Sequence, residues 1–275
     1  MNNFYKLKFV FSIILIFNSC VISNKMNSYF VQSLPSIKNS MNIIFLEVPK
    51  GSFEIGCNSF DSYCDDDEKP SRKVKFEKTF YFSKYEVTVG EFRLYAKSKL
   101  VQKGKDTWNN CFGMKQTEDH PVICVNWFEA KNFANWLSDR EGKRYRLPTQ
   151  AEWEYVARSS TEELFPWGNQ VDDEFTWYRK NSEKKTHPVG KKKPNQWGFH
   201  DMHGNVMEWC EDDYSANQYK NENLKFPIVL ENSKGKILKG GSWFDSFIQL
   251  RASSKFFANP YSRDDRIGFR LVMEK

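Results

Sequence analysis

The sequence predicts a single α+β domain, rich in loops, over residues 42–275. Three observations carry this. Three helix starts bear capping signatures, all of them before residue 160. Short apolar runs of strand character precede them. After Ser159 the chain offers only short strands and turns built on Gly, Pro and Asn. The 16% aromatic content implies a core packed around rings, and 40% hydrophobic residues exclude a disordered chain. The net charge of +6 is spread in mixed sign, which excludes a nucleic-acid-binding tail and leaves nucleic acid out as a partner.

Taken in order, Ile43 to Val48 reads as a first strand, Pro49-Lys50-Gly51 as a turn and Ser52 to Gly56 as a second strand. Asp65-Asp66-Asp67-Glu68 reads as a solvated acidic loop, although a hard cation would suit it. Lys73 to Val87, rich in Val, Phe and Tyr, supplies one or two more strands. Thr88-Val89-Gly90-Glu91 is a capping box that opens a helix to about Lys97. Asn126 to Glu129 opens a second helix, with Ala130, Phe133, Ala134 and Leu137 on one face and Gly142 as its stop. Thr149 with Glu152 opens a third, which turns Trp153, Val156 and Ala157 inward.

The first residues read as an address. Lys6 and Lys8 precede the apolar run Phe9 to Phe17, followed by Asn18-Ser19-Cys20. This predicts a signal peptide over residues 1–19 and lipidation at Cys20, though Phe17 and Asn18 depart from the usual lipobox; an ordinary cleaved signal peptide is the alternative. The expected location is the periplasm, outer membrane or cell surface, with the lipid as the only membrane contact. Residues 20–41, polar and without period, read as a tether. Export permits disulfides. Cys57, Cys64, Cys111 and Cys124 are the candidates, and four cysteines allow three connectivities. Cys210 reads as a buried free thiol, and none of the cysteine or histidine spacings suits zinc.

Ten short segments follow one another along the chain. They include Val48 to Gly56, Asp67-Glu68-Lys69-Pro70, Tyr85-Glu86-Val87-Thr88, His120-Pro121-Val122 and Arg146 to Tyr155. Phe165-Pro166-Trp167-Gly168, His187-Pro188-Val189-Gly190, Asp201 to Trp209, Lys239 to Trp243 and Gly268-Phe269-Arg270 complete the set. Together they resemble the formylglycine-generating enzyme family, or sulfatase-modifying-factor domain, over nearly all of residues 42–275. The resemblance implies a C-type-lectin-like α+β fold with little regular secondary structure, in which Thr149, Glu152, Trp153 and Trp167 are architectural.

The resemblance also implies a chemistry to look for. Formylglycine-generating members oxidise a sulfatase cysteine with oxygen and copper. They use two thiolates, one three residues after the Ser of Gly-Gly-Ser and the other five residues later. Here those positions are Asp245 and Leu250, and no cysteine follows Cys210. Cu(I) favours paired thiolates, so no copper and no catalytic residue is expected. By position, Ser242, Trp243, Asp245, Arg251 and Arg270 line the family's substrate groove, where Asp245 would bond a ligand or pair with Arg251, or stand in an ordinary exposed loop. Met207 replaces the family's usual Trp and alters the groove's shape. A structural calcium site maps onto Asp201, the carbonyls of Gly204 and Val206, and Glu208. The alternative there is that the carboxylates merely accept backbone hydrogen bonds.

The resulting expectation is an envelope binding or structural module whose ligand is an unidentified protein, peptide or glycan. The alternative is a non-haem metal-dependent oxidoreductase, with His200, His203 and Asp201 as the conceivable metal set.

Overall fold

The apolar run at the start of the domain, Ile44 to Val48, becomes an interior strand of its five-stranded sheet. The computed structural model describes residues 29–59, 61–98, 108, 111–220, 226–230, 233 and 235–275. The proposed signal peptide and Cys20 lie outside the described residues. The strands are β1 (Ser36–Lys38), β2 (Ile44–Val48), β3 (Gly51–Ile55), β4 (Arg72–Phe76), β5 (Phe80–Ser83), β6 (Tyr145–Arg146), β7 (Met207–Asp213), β8 (Lys236–Lys239), β9 (Lys255–Ala258), β10 (Ile267–Gly268) and β11 (Val272–Met273). The helices are α1 (Val89–Ser98), α2 (Trp127–Glu141) and α3 (Gln150–Arg158). One sheet runs β1-β2-β5-β11-β6, a second runs β10-β7-β8-β9, and β3 pairs with β4 as a separate ribbon.

The expected tether needs correction. β1 pairs antiparallel with β2, Ser36 opposite Leu46, so the folded body begins before Asn42. Earlier still, the Tyr29 ring packs on Phe175 and its hydroxyl donates to the Pro194 carbonyl at 3.0 Å. An edge strand gains its stability from main-chain pairing, so it needs no apolar pattern to be seen in the sequence. The Asn39 side chain shapes the turn that follows, accepting from the backbone amides of Met41 and Ile43.

All three helix starts form as reciprocal capping boxes. Thr88 exchanges bonds with Glu91, Asn126 with Glu129 and Thr149 with Glu152. Gly142 ends α2 in the left-handed conformation, with its amide on the Ser138 carbonyl. On the buried faces of α1 and α2, Phe92 stacks on Phe133 at 5.7 Å, and both meet Phe269 from the C-terminal segment. α3 drives Trp153, Val156 and Ala157 into a second cluster with Phe80, Phe82 and Met202. Truncating a fully buried ring such as Trp153 or Phe133 costs roughly 3–5 kcal/mol.

The cysteines pair locally, Cys57 with Cys64 and Cys111 with Cys124. Each bridge closes a short loop and stabilises the fold by ~2–3 kcal/mol in the chain-entropy description. Cys210 is a buried free thiol, pushed well above its usual pKa by burial. Among the described residues, no helix is long and apolar enough to cross a membrane.

Candidate functional site

The C-terminal segment leaves β8 through Gly240 and Gly241. Gly241 has φ +65°, and a Cβ there would lie 2.6 Å from Leu250 and 2.9 Å from the Gln249 carbonyl, so only glycine lets the chain double back so closely. Asp245 completes the turn. Its carboxylate accepts from the Ser242 amide at 2.8 Å and from the Ser242 hydroxyl at 2.6 Å. Leu250 is fully buried and packs with Phe165 and Tyr178. Trp243 is buried too, with its indole N–H on the Asp265 carbonyl at 3.1 Å.

What this segment shows to solvent is Phe244, which is 45% exposed. Guanidinium groups flank its ring, Arg179 at 5.0 Å and Arg266 at 5.5 Å from the centroid. Arg179 also donates to the Phe244 carbonyl at 2.8 Å, and Asp264 grips Arg266 through two hydrogen bonds. The arrangement is an exposed ring held between two oriented cations.

Two expected groove residues are elsewhere. Arg251 is 1% exposed and points inward, where it pairs with Asp61 and makes bonds of 2.9 and 2.8 Å to Glu68. It does not pair with Asp245. The same contact takes Glu68 out of the solvated acidic loop and buries it as the partner of Arg251, while Asp65 and Asp66 stay exposed. Arg270 is also fully buried, with both guanidinium contacts to Glu208 at 2.6 Å. Ser242 is buried and committed to Asp245. Of the five expected residues, Asp245 alone is partly open to solvent.

The proposed calcium ligands sit in one buried centre but do not fit the ion. Calcium needs six to eight oxygen ligands. Both Glu208 oxygens are taken by Arg270, and one of them also accepts the Trp153 indole N–H at 2.7 Å. Asp201 accepts from the Gly190 amide at 2.7 Å. Gly204 serves close packing, since a Cβ there would lie 2.3 Å from the Trp177 carbonyl. Val206 is buried against Ile123 and the Cys111–Cys124 bridge. The Arg270 guanidinium therefore fills the cation's role. Glu86 adds a third carboxylate, bonded to the Asn205 amide at 3.2 Å. Burial, reinforced by Asp201 and Glu208, pushes Glu86 well above the usual carboxylate range, and burial raises Asp201 to about 6.

The histidines do not form a metal triad. His203 bonds the Leu250 carbonyl through Nδ1, His200 the Lys192 carbonyl through Nδ1 and His187 the Ser182 carbonyl through Nε2. Burial lowers both His200 and His203 to about 4. Among the described residues, the only side chains grouped tightly enough for a metal are Cys57, Cys64 and Glu68, and the two cysteines are bridged.

Sequence reasoning missed a second buried centre. Glu154 meets Lys239 at 3.0 Å and Arg158 at 2.8 Å, and both Glu154 and Lys239 are fully buried. The available signal was Glu154 itself, a charge on the face of α3 that also carries Trp153, Val156 and Ala157 inward.

Residues 33–275 match the sulfatase-modifying factor enzyme 1-like domain. The formylglycine-generating enzyme of Bos taurus is 26% identical over 300 residues, covering 88% of this chain and 78% of that protein. The inactive C-alpha-formylglycine-generating enzyme 2 of the same organism is 25% identical over 291 residues, covering 85% of this chain and 89% of that protein. Among solved structures, PvdO from Pseudomonas aeruginosa superposes with a TM-score of 0.80 at 30% identity, covering 89% of this chain and 99% of that one. The α+β, loop-rich scaffold is thus a shared one, and the chain belongs to the formylglycine-generating enzyme (sulfatase-modifying factor) family.

Proposed function

We propose that this chain is a binding module on the family scaffold and does not oxidise thiols with copper. The observation that carries the reading is the state of the two positions where the copper ligands would stand. Asp245 is tied to Ser242 and Leu250 is sealed in the core. A soft Cu(I) ion needs paired thiolates. No cysteine follows Cys210, and Cys57, Cys64, Cys111 and Cys124 are bridged. An inactive relative of comparable length supports the idea that the scaffold persists without the oxidase. The ligand, a protein, peptide or glycan, would seat on Phe244 between Arg179 and Arg266. Export and a lipid on Cys20 complete the proposal and place the module at the cell envelope.

Incubation with a Cys-x-Pro-x-Arg peptide under air, followed by mass spectrometry, tests the first part: the thiol is expected to survive, and its conversion to an aldehyde refutes the reading. Labelling of cells with palmitate tests the anchor. Label that disappears in Cys20→Ala supports it, and label that persists, or never appears, removes it.

A further inference from the structure

A cleft of about 820 Å³ opens between the β3–β4 ribbon, α2 and the turn into α3. All five residues of β4 line it. β4 pairs with β3 along one edge, and among the described residues no strand pairs with the other. A row of main-chain donors and acceptors therefore faces the cleft. Five residues at about 3.3 Å each make an edge roughly 16 Å long, matched to a five-residue extended segment.

The cleft is also charged. Each of its three carboxylates already has a cation: Glu211 meets Lys131 at 3.0 Å, Glu152 meets Arg146 at 2.6 Å and Glu274 meets Arg144 at 3.1 Å. On β4, Lys73 stands opposite Glu54 of β3 but forms no salt bridge among the described residues, and Lys75 meets only the exposed Glu77. An exposed pair of that kind neutralises little in water. Val74 and Phe76, on the opposite face of the strand, turn toward the apolar cluster of Ile55, Ala151 and Tyr219.

We propose that this cleft binds an extended acidic peptide, which adds to β4 as a third strand. Neighbouring strands align side chains face by face. Residues opposite Lys73 and Lys75 are then acidic, and those opposite Val74 and Phe76 are apolar, so the ligand alternates between the two. Main-chain pairing supplies affinity, and the alternation supplies specificity.

The probe is a fluorescein-labelled Glu-Val-Glu-Val-Glu-Val-Glu peptide, titrated with the full chain and followed by anisotropy and amide hydrogen exchange. Binding is expected, with exchange slowed at Arg72 to Phe76. The Lys73→Glu/Lys75→Glu variant, whose changes lie on an exposed face, is expected to keep its circular dichroism and bind about tenfold more weakly or worse. The same peptide methylated at every backbone amide keeps its charge but can donate no main-chain hydrogen bond from either edge, and is expected to lose binding. Absence of binding, or equal binding of the methylated peptide, overturns the proposal. So does capture of phosphatidylglycerol vesicles through the same lysines when the peptide is ignored.

Discussion

Two buried charge centres lie on either side of Trp153, and they solve the same problem differently. The Trp153 indole N–H bonds Glu208 of one centre, while the Lys239 ammonium of the other lies 5.6 Å from the centre of its ring system. Around Glu154, one carboxylate faces two cations. Burial works to raise its pKa, but Lys239 and Arg158 outweigh it and hold the carboxyl below its usual value. Around Arg270, one guanidinium faces Glu208, with Asp201 and Glu86 close behind. There burial wins, and Asp201 and Glu86 are raised. A buried charge is tolerated through a counter-charge in the first centre and through retained protons in the second.

Removing either buried cation is expected to destabilise the fold more than any other change considered. Breaking a buried pair from one side costs about 3–5 kcal/mol. Arg270→Met is expected at the top of that range at pH 8, since it leaves the fully buried Glu208 without its cation, and Lys239→Met lower, since Arg158 still holds Glu154. Urea denaturation of both variants checks the order.

Asp201→Asn is expected to stabilise the second centre at high pH. In the unfolded chain this carboxyl titrates near 3.8 and in the fold at about 6. Below 3.8 both states carry the proton and the native state keeps its full stability. As pH rises through 6 the fold must release a proton it prefers to hold, so stability is lost, by about 3 kcal/mol at pH 8. Asparagine carries no such penalty and retains an oxygen for the Gly190 amide. The variant should therefore gain roughly 1–3 kcal/mol at pH 8, with the gain vanishing below about pH 4 in a pH series of melts. A loss at high pH would show that the charged carboxylate is wanted there.

Thr149→Ala removes the cap of α3, the helix that delivers both Trp153 and Glu154, and should cost about 1 kcal/mol. The smallest expected effect is that of calcium. Because Arg270 occupies both Glu208 oxygens, millimolar calcium should leave the melting temperature where chelator leaves it, and a rise of several degrees would show that the ion displaces the arginine.

Much of the frame was legible in the residues. Thr88, Asn126 and Thr149 announced the helices because a cap is decided within four residues by hydroxyl or amide reach. Gly142 announced the end of α2 for an equally local reason, its freedom to adopt positive φ. The site was less legible. Arg251 and Arg270 sit in the right part of the chain for a groove, yet the backbone turns both side chains into the core. β1 was hidden because Ser36-Ile37-Lys38 looks like linker until a neighbouring strand supplies its hydrogen bonds.

By itself, the sequence determined the helix starts, the absence of late thiols and the motif order that identifies the family, since all of these depend on residue identity and short-range stereochemistry. The tertiary structure alone decided which charges meet. Glu208 and Arg270 are 62 residues apart, Glu154 and Lys239 85, and Glu68 and Arg251 183. Each pair exists because packing brought the two ends together in a place without water, where an unpaired charge is too costly to leave and a partner from anywhere in the chain will serve.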